Sequence, residues 1–491
     1  MLTEAEIKRL IEDDAMSDKK KQAATGQRYY EAEHDILNYR MFYYNADGIL
    51  VEDKARSNSR ICHPFFTEHV DQLTAFILSF EENPIQAKPT AGGLQDHLDV
   101  YFDDEFWAEM SEVIGGATAK GFEYMYGFKN HEDRLAFQHA DSLGVVEVRA
   151  KDTDDGCGYV IYWYAERTTK DNKLVKRIQI HDKDQTWYYM QVDDGKIELD
   201  TNVLLNPRPN IVWTDAKGAM YGDSLGFIPF WRLDYNTKQQ SALKPIKGLI
   251  DDYDLMECGL SNNVQDFDTP IHLVKGYPGD DLNELQQNLK TKKIMNVPGD
   301  GNSGLDVLTI DIPYQARKTK ADEDEKNIYR FGMAFNSSQS GDGNITNVVI
   351  RSRYTLLELK ADKLVKRIKR FLKGIIKVVL DEINQKNGTD YQASDVEIKF
   401  EYIVPTNEQE NVQNAKTEAE TQQIRINTIL NVAANVGDEQ TLKAICEELD
   451  FDFDELKDIL EEDSADDALT ALEGVVTDEP TAVAGTEAIP E

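Results

Sequence analysis

The stretch that decides the fold is 348–383, VVIRSRYTLLELKADKLVKRIKRFLKGIIKVVLDEI. Within it Ile350, Tyr354, Leu357, Ala361, Leu364, Ile368, Leu372, Ile375, Val379 and Ile383 recur at steps of three and four without a break. That spacing puts all of them on one side of an α-helix, which at 1.5 Å per residue is about 54 Å long. Gly374 is the expected place for a bend, because glycine weakens a helix interior by about 1 kcal/mol. The other side is basic. From Arg351 to Lys377 there are ten basic residues (Arg351, Arg353, Lys360, Lys363, Lys366, Arg367, Lys369, Arg370, Lys373 and Lys377) against Glu358 and Asp362, an excess of +8. They read either as the solvated face of an amphipathic helix, or as a surface that meets acidic faces of neighbouring copies or lines a path for nucleic acid. Like charges this close repel one another, which favours a partner.

The chain as a whole has the opposite sign. Its 491 residues include 54 Lys and Arg against 90 Asp and Glu, a formal charge of -36. A general duplex-DNA binder with a basic surface is therefore excluded, and so is a protein held to anionic lipid by charge alone. Apolar residues make up 41%, enough to build real cores, and the length suits two to four packed units. The four cysteines (Cys62, Cys157, Cys258, Cys446) stand far apart with no CxxC spacing, as expected of a reducing compartment. The first residues, MLTEAEIKRLIEDDAMSDKKK, have no apolar signal-peptide core, and no apolar stretch approaches the ~20 residues that span a bilayer. A soluble, intracellularly made protein is expected.

Working towards the N-terminus, Thr3 and Glu6 form a capping box before Ile7, Leu10 and Ile11, and a second helix is expected over 17–38. A polar turn follows at Asn45-Ala46-Asp47-Gly48. Helical spacing returns over 69–80 and again over 94–128, the latter including Trp107 and Val113-Ile114 before a Gly-Gly pair. Over 141–235 the pattern changes to short β-branched and aromatic runs, with Asp154-Asp155-Gly156 and Asp193-Asp194-Gly195 as hairpin turns. This predicts an antiparallel meander packed on the preceding helices, and an α+β, mainly helical class. Residues 241–264 are helical again, with Ser241 as N-cap and Pro270 as the stop. A Gly/Pro-rich module (270–313) contains a short helix near 282–289, and Thr319 with Asp322 opens the returning helix. A polar loop (336–344) leads into the long helix. After it come a short strand near 396–404 and helices at 406–434 and 438–460. From Asp438 to Glu491 nineteen acids face two lysines, and the end from 463 is expected to be a disordered acidic tail.

Motifs of catalysis are missing. No GxxxxGK[ST] offers a phosphate cradle, and Gly299-Asp300-Gly301 and Gly341-Asp342-Gly343 lack the strand-to-helix context of a nucleotide site. A calcium loop at Asp152–Gly156 would need Lys151 as a ligand, so a hairpin turn is expected there. Three glycosylation sequons (Asn336, Asn344, Asn387) have no meaning without secretion. The eight histidines, among them His34, His63 and His69, form no HxxxH or HExxH pattern and read as structural or surface residues. No GxSxG nucleophile elbow occurs. Neither an enzyme nor a cofactor is expected.

Five segments in a fixed order carry a resemblance. They are Tyr29-Tyr30-Glu31-Ala32-Glu33-His34-Asp35-Ile36-Leu37, Asn58-Ser59-Arg60-Ile61-Cys62-His63-Pro64-Phe65-Phe66, the helix with Val70-Asp71-Gln72, Gly226-Phe227-Ile228-Pro229-Phe230, and the run from Leu243 to Asp254. Over roughly 25–385 this order resembles the portal proteins of tailed bacteriophages, in the siphophage branch of Gram-positive hosts. The resemblance implies a ring of about twelve copies at one capsid vertex, the channel for packaging and ejection of double-stranded DNA. It implies a wing (1–240 and the long helix 348–384), two stem helices (241–265 and 314–335) and a clip (266–313). A tunnel loop (336–347), a helical crown (385–462) and the acidic tail (463–491) complete the division. Asn336, Ser337, Ser338, Gln339, Ser340, Asp342 and Asn344 would then face DNA, and Tyr277, Asp280, Lys292 and Lys293 would dock partners. Arg351, Arg353, Lys363, Lys366, Arg367 and Arg370 represent the basic helix. The implied partners are the terminase large subunit, the head–tail adaptor and the major capsid and scaffolding proteins, with no membrane. The implied place is the virion, after assembly in the host bacterial cytoplasm. The rival reading from the residues is a monomeric phage nucleic-acid-processing or binding factor that uses the basic helix.

Overall fold

The structure, a computed structural model, describes residues 2–54, 56–149, 157–167, 172–193, 195–214, 220–267, 271–275, 304–308, 313–336, 347–403 and 408–449. Contacts divide the chain into two units, 1–340 with 353–404 and 341–352 with 405–491. Among the described residues there are ten α-helices and several small antiparallel sheets, so the class is α+β with helix predominant.

The predicted capping box exists. Thr3 and Glu6 cap α1 (Glu4–Ala15), and Ser17 caps α2 (Asp18–Tyr30). α2 stops eight residues before the predicted Asn38, because Ala32 takes a left-handed φ of 57° and the Thr67 hydroxyl donates to the Tyr30 carbonyl at 2.6 Å. A small hairpin, β1 (Phe42–Tyr44) and β2 (Leu50–Glu52), follows, and then α3 (Phe65–Ile77) and β3 (Ile85–Ala87). The predicted helical stretch 94–128 is two helices and a strand: α4 (Leu94–Tyr101), α5 (Asp104–Lys120) and β4 (Phe122–Lys129). Asp103 caps α5, and Gly121, at φ 98°, ends it where only glycine adopts the turn without strain.

The predicted meander is present. β5 (Leu135–Ala140) joins β4, whose other edge takes the strand at Phe230–Asp234. β6 (Val145–Arg149), β7 (Cys157–Arg167), β8 (Leu174–His181), β9 (Gln185–Val192) and β10 (Ile197–Leu199) form one sheet in sequence order, with β11 (Arg208–Pro209) also on β9. β12 (Ile211–Thr214) pairs with β13 (Met220–Asp223), and β14 spans Phe230–Asp234. Ile7 and Ile11 of α1 lie on Ile161, Ile178 and Ile180 of the larger sheet. The turn at Asp154–Gly156 lies outside the described residues.

The helix predicted from 241 begins at Lys247 and runs to Phe267 (α6). Pro245 disfavours helical geometry at Lys244, so Ser241 caps only a tight turn, accepting from the Leu243 N–H at 3.0 Å. β15 (Ile271–Lys275) and β16 (Gly304–Leu308) pair antiparallel between α6 and the next helix; the short helix predicted near 282–289 lies outside the described residues. α7 (Tyr314–Gly332) opens five residues before the predicted Thr319, whose hydroxyl bonds back to the Gln315 carbonyl at 2.9 Å within the helix. α8 (Asn347–Asn387) runs unbroken through Gly374, which makes room for the Trp231 ring: a Cβ there would stand 3.2 Å from Trp231 Cδ1. β17 (Val396–Ile398) pairs with β3. In the second unit α9 (Glu408–Val436) packs on α10 (Asp438–Leu449), burying Ile426, Ile445 and Cys446.

The main core lies where α8 meets α3, α4 and α5. Leu357, Ala361, Leu364, Ile368, Leu372, Ile375, Val379 and Ile383 are buried there against Leu73, Ile77, Met110, Ile114, Met125 and Phe137. Truncating Ile368 to alanine should cost about 3 kcal/mol in urea unfolding, whereas Lys366→Ala on the exposed side should stay within about 0.5 kcal/mol. Equal effects would mean that α8 is not the spine of the core.

Candidate functional site

Two of the sequence segments quoted above converge on α6. Residues 57–63 lie extended along that helix, and every second backbone N–H donates to a side chain one helical turn further back. Ser57 donates to Asp266 Oδ1 (3.1 Å), Ser59 to Asn262 Oδ1 (2.6 Å), Ile61 to Cys258 Sγ (3.2 Å) and His63 to Asp254 Oδ1 (3.0 Å). Two residues of extended chain rise about 6.6 Å and four of helix about 6.0 Å, so the two repeats stay nearly in register.

The zipper ends on Asp254, which is fully buried. His63 Nδ1 lies 2.8 Å from Asp254 Oδ1, and His34 Nδ1 lies 2.6 Å from Oδ2. Burial pushes this carboxyl up, but the hydrogen bonds from His34 and His63 outweigh it and hold Asp254 below the usual carboxylate range. Tyr29 stacks on His34 at 4.5 Å, and its hydroxyl donates to Asp251. Lys247 bridges Asp35 (2.7 Å) and Asp251 (2.8 Å). The histidines read as structural or surface from sequence are structural here, and their common partner Asp254 escaped the sequence reading.

α7 is fastened beside α6 by Lys320, which bridges Asp252 at 2.5 Å and Asp324. Gly259 leaves room for the Arg317 guanidinium, since a Cβ there would lie 2.6 Å from its Nη1. The C-terminal end of α7 meets α3 and α8. Buried Lys360 donates to the Gly332 carbonyl at 2.7 Å, a cation on the negative end of the helix. Burial lowers the Lys360 pKa to about 8, and burial together with the Lys360 charge lowers that of His69 to about 3. His69 lies where any side chain at Gly332 would stand. Gln72 grips the Phe335 backbone from both sides, at 2.9 and 3.1 Å, and Asn336 donates to Glu325 at 3.0 Å. The polar loop therefore departs from a fixed point. Of its candidate residues only Asn336 is described; Ser337, Ser338, Gln339, Ser340, Asp342 and Asn344 lie outside the described residues, as do Tyr277, Asp280, Lys292 and Lys293.

On α8 the exposed cations line up. Lys363, Lys366, Arg370, Lys373 and Lys377, at alternating steps of three and four, are exposed with no ion pair among the described residues. Arg351 is exposed, Arg367 is half-buried and donates to Thr237 at 2.8 Å, and only the backbone of Arg353 is described. Among the described side chains of the basic run Lys360 is the exception, being turned into the core.

The description "Phage portal protein, SPP1 Gp6-like" belongs to a family model that matches residues 10–468. The chain belongs to this portal family. Its match extends well beyond the 25–385 read from sequence. The portal protein of Bacillus phage SPP1 is 26% identical over 352 residues, covering 71% of this chain and 67% of its own. That of Clostridium phage phiCD119 is 24% identical over 418 residues, covering 76% and 87%. The portal family consists of structural virion components, not enzymes. Among the described residues no group of His, Cys, Asp and Glu is arranged to hold a metal ion, and no helix is long and apolar enough to cross a membrane.

Two measurements check this architecture. Asp254→Ala strands the donors of His34 and His63 and should cost about 2–4 kcal/mol in chemical denaturation. Because the folded pKa of Asp254 lies below the unfolded one, its contribution is present above about pH 4 and lost as pH falls through the folded value; the variant should lack that acid-limb loss. For Lys360 the folded value of about 8 lies below the ordinary 10.5. The unfolded chain then holds the extra proton, so between those values stability should rise by about 1 kcal/mol per pH unit. Lys360→Met should remove that rise; an unchanged slope over pH 8–9.5 would mean that Lys360 is solvated.

Proposed function

We propose that the chain forms a ring of about twelve copies at one capsid vertex, the channel through which double-stranded DNA is packaged and later ejected. The observation that carries this reading is the family match over 10–468, together with the convergence of the family-like segments on α6. In this reading the stem, 241–265 and 314–335, consists mainly of α6 and α7, α6 reaching two residues beyond the first range, and the strand pair β15–β16 is the root of the clip at 266–313. The clip, with Tyr277, Asp280, Lys292 and Lys293, docks the terminase large subunit and then the head–tail adaptor. Residues 1–240 and 348–384 form the wing, 385–462 the crown and 463–491 an acidic tail. The loop 336–347 starts from the anchored Phe335–Asn336 and faces DNA, with Ser337, Ser338, Gln339, Ser340, Asp342 and Asn344 as its polar lining. The major capsid and scaffolding proteins surround the ring, which is built in the host bacterial cytoplasm.

The basic stripe of α8 has a role in this reading as well. In a chain of charge -36, five cations on one face, unpaired among the described residues, complement the acidic surface of a sibling and reduce the repulsion of packing like copies together. The absence of a nucleotide-binding motif fits a passive conduit whose motor is a separate chain.

Size-exclusion chromatography with light scattering tests the reading. A mass near twelve chains and negative-stain images of annuli with a central hole are expected. A stable particle of one or two chains that binds nucleic acid through Lys363, Lys366 and Arg370 would replace the ring with the rival nucleic-acid-binding factor.

A further inference from the structure

The hairpin β1–β2 carries apolar side chains on both faces, with Glu52 opposite Phe42 at its base, and among the described residues neither face is covered. Phe42, Tyr43, Tyr44, Ile49, Leu50 and Val51 are between 37% and 72% exposed. Tyr43 pairs with Val51 and Tyr44 with Leu50 across the ladder, so one pair lies on each side of the ribbon. Among the described residues no ring of this hairpin stacks on another aromatic side chain. Together the six side chains expose about 700 Å². An isolated two-stranded ribbon is at best marginally stable in water, and a patch this large is more than a soluble single chain ordinarily leaves open.

Yet the ribbon is shaped and aimed with care. Asn45 closes its turn, accepting from the N–H groups of Asp47 (3.0 Å) and Ile49 (2.9 Å), and Gly48 takes the left-handed φ of 73° that the turn needs. At its base Asn58 donates to the Tyr39 carbonyl (3.1 Å) and Arg60 to that of Leu37 (3.2 Å). Both residues lie in the segment zippered to α6, so the hairpin is held at a fixed attitude to that helix.

We propose that this hairpin is an inter-subunit arm, inserted into a cleft of a second copy of the same chain. The proposal rests on the ring reading and deepens it. Two apolar faces require cover from both sides, which a cleft supplies and a flat surface does not. The area approaches the ~800 Å² that each partner contributes to a stable interface. Every chain carries one arm, so the cover must exist in equal number. A head-to-tail ring meets that condition by itself, each copy offering an arm on one flank and a cleft on the other.

The test uses the full chain. Tyr44→Ser combined with Leu50→Ser removes apolar area that touches no core residue, so thermal unfolding of the subunit should be unchanged. The concentration at which rings fall apart should rise about tenfold or more by light scattering. In parallel, a benzophenone amino acid in place of Tyr44 should, on illumination, give a ladder of covalently joined chains. If wild-type rings form and the double variant dissociates at the same concentration, or if cross-links stay within one chain or reach only a different capsid protein, the arm proposal is overturned and the ring stands. A wild-type chain that remains single at high concentration overturns the ring and the arm together.

Discussion

The rest of the structure depends on the match between two backbone repeats along α6. A strand normally satisfies its N–H groups on a neighbouring strand, and among the described residues 57–63 has none. It uses instead a column of side-chain acceptors spaced one helical turn apart: Asp254, Cys258, Asn262 and Asp266. The pitch difference accumulates to only about 2 Å over three steps, and acceptors of differing length absorb it. Backbone donors that are partly withdrawn from water lose free energy when left unpaired, so those four positions favour residues that accept hydrogen bonds. The same zipper fixes what is attached to its two ends, the aromatic hairpin before it and α3 after it. Through α3 it reaches α7, where Tyr329 donates to Glu68 at 2.5 Å, and then the anchored start of the polar loop.

How much of this was legible in the sequence depended on whether a signal was local. The capping box at Thr3 and Glu6 and the ten-position apolar row of α8 are local, and both became the elements expected. β4 was misread as the end of a helix because Phe122, Glu123, Tyr124 and Met125 are all buried. A strand enclosed on both faces loses the period of two that betrays it. The α6 column was missed for a different reason. Its polar residues recur every four positions, but their partners stand about two hundred residues earlier, and a helix announces itself in sequence through its apolar spacing, not through a polar column. The candidate site was less legible than the fold: His34, His63 and Asp254 all lie in segments that carried the resemblance, yet nothing short of the folded chain brings them to one point.

α8 illustrates how one helix serves two environments. Its inner face is a continuous apolar row, and the one cation on that side among the described side chains, Lys360, is accommodated because the last carbonyls of α7 offer a partial negative charge. Its outer face begins with exposed Leu356 and Leu359 and continues into the cation stripe, so apolar and charged surface follow one another along a single line. Reading the ten basic residues as one block, as the sequence invites, merges the buried Lys360, whose proton affinity burial lowers, with cations that stand in solvent.

Charge at first argues against close association of a chain at -36. Its distribution removes the objection. Residues 438–491 carry nineteen acids and two lysines, so the remainder holds 71 acids and 52 bases, a balance of −19. Nearly half of the excess is thus confined to the last ninth of the sequence. At physiological ionic strength repulsion between exposed charges fades over about 8 Å, so what matters at a contact is the local pattern and not the total. In the proposed ring, against a mildly acidic body, a stripe of five cations unpaired among the described residues and a mainly apolar arm, whose acids Asp47 and Glu52 lie at its turn and base, are the surfaces on which copies approach at least electrostatic cost. In that reading the apolar arm would contribute attraction that salt does not screen, and the stripe orientation that it does.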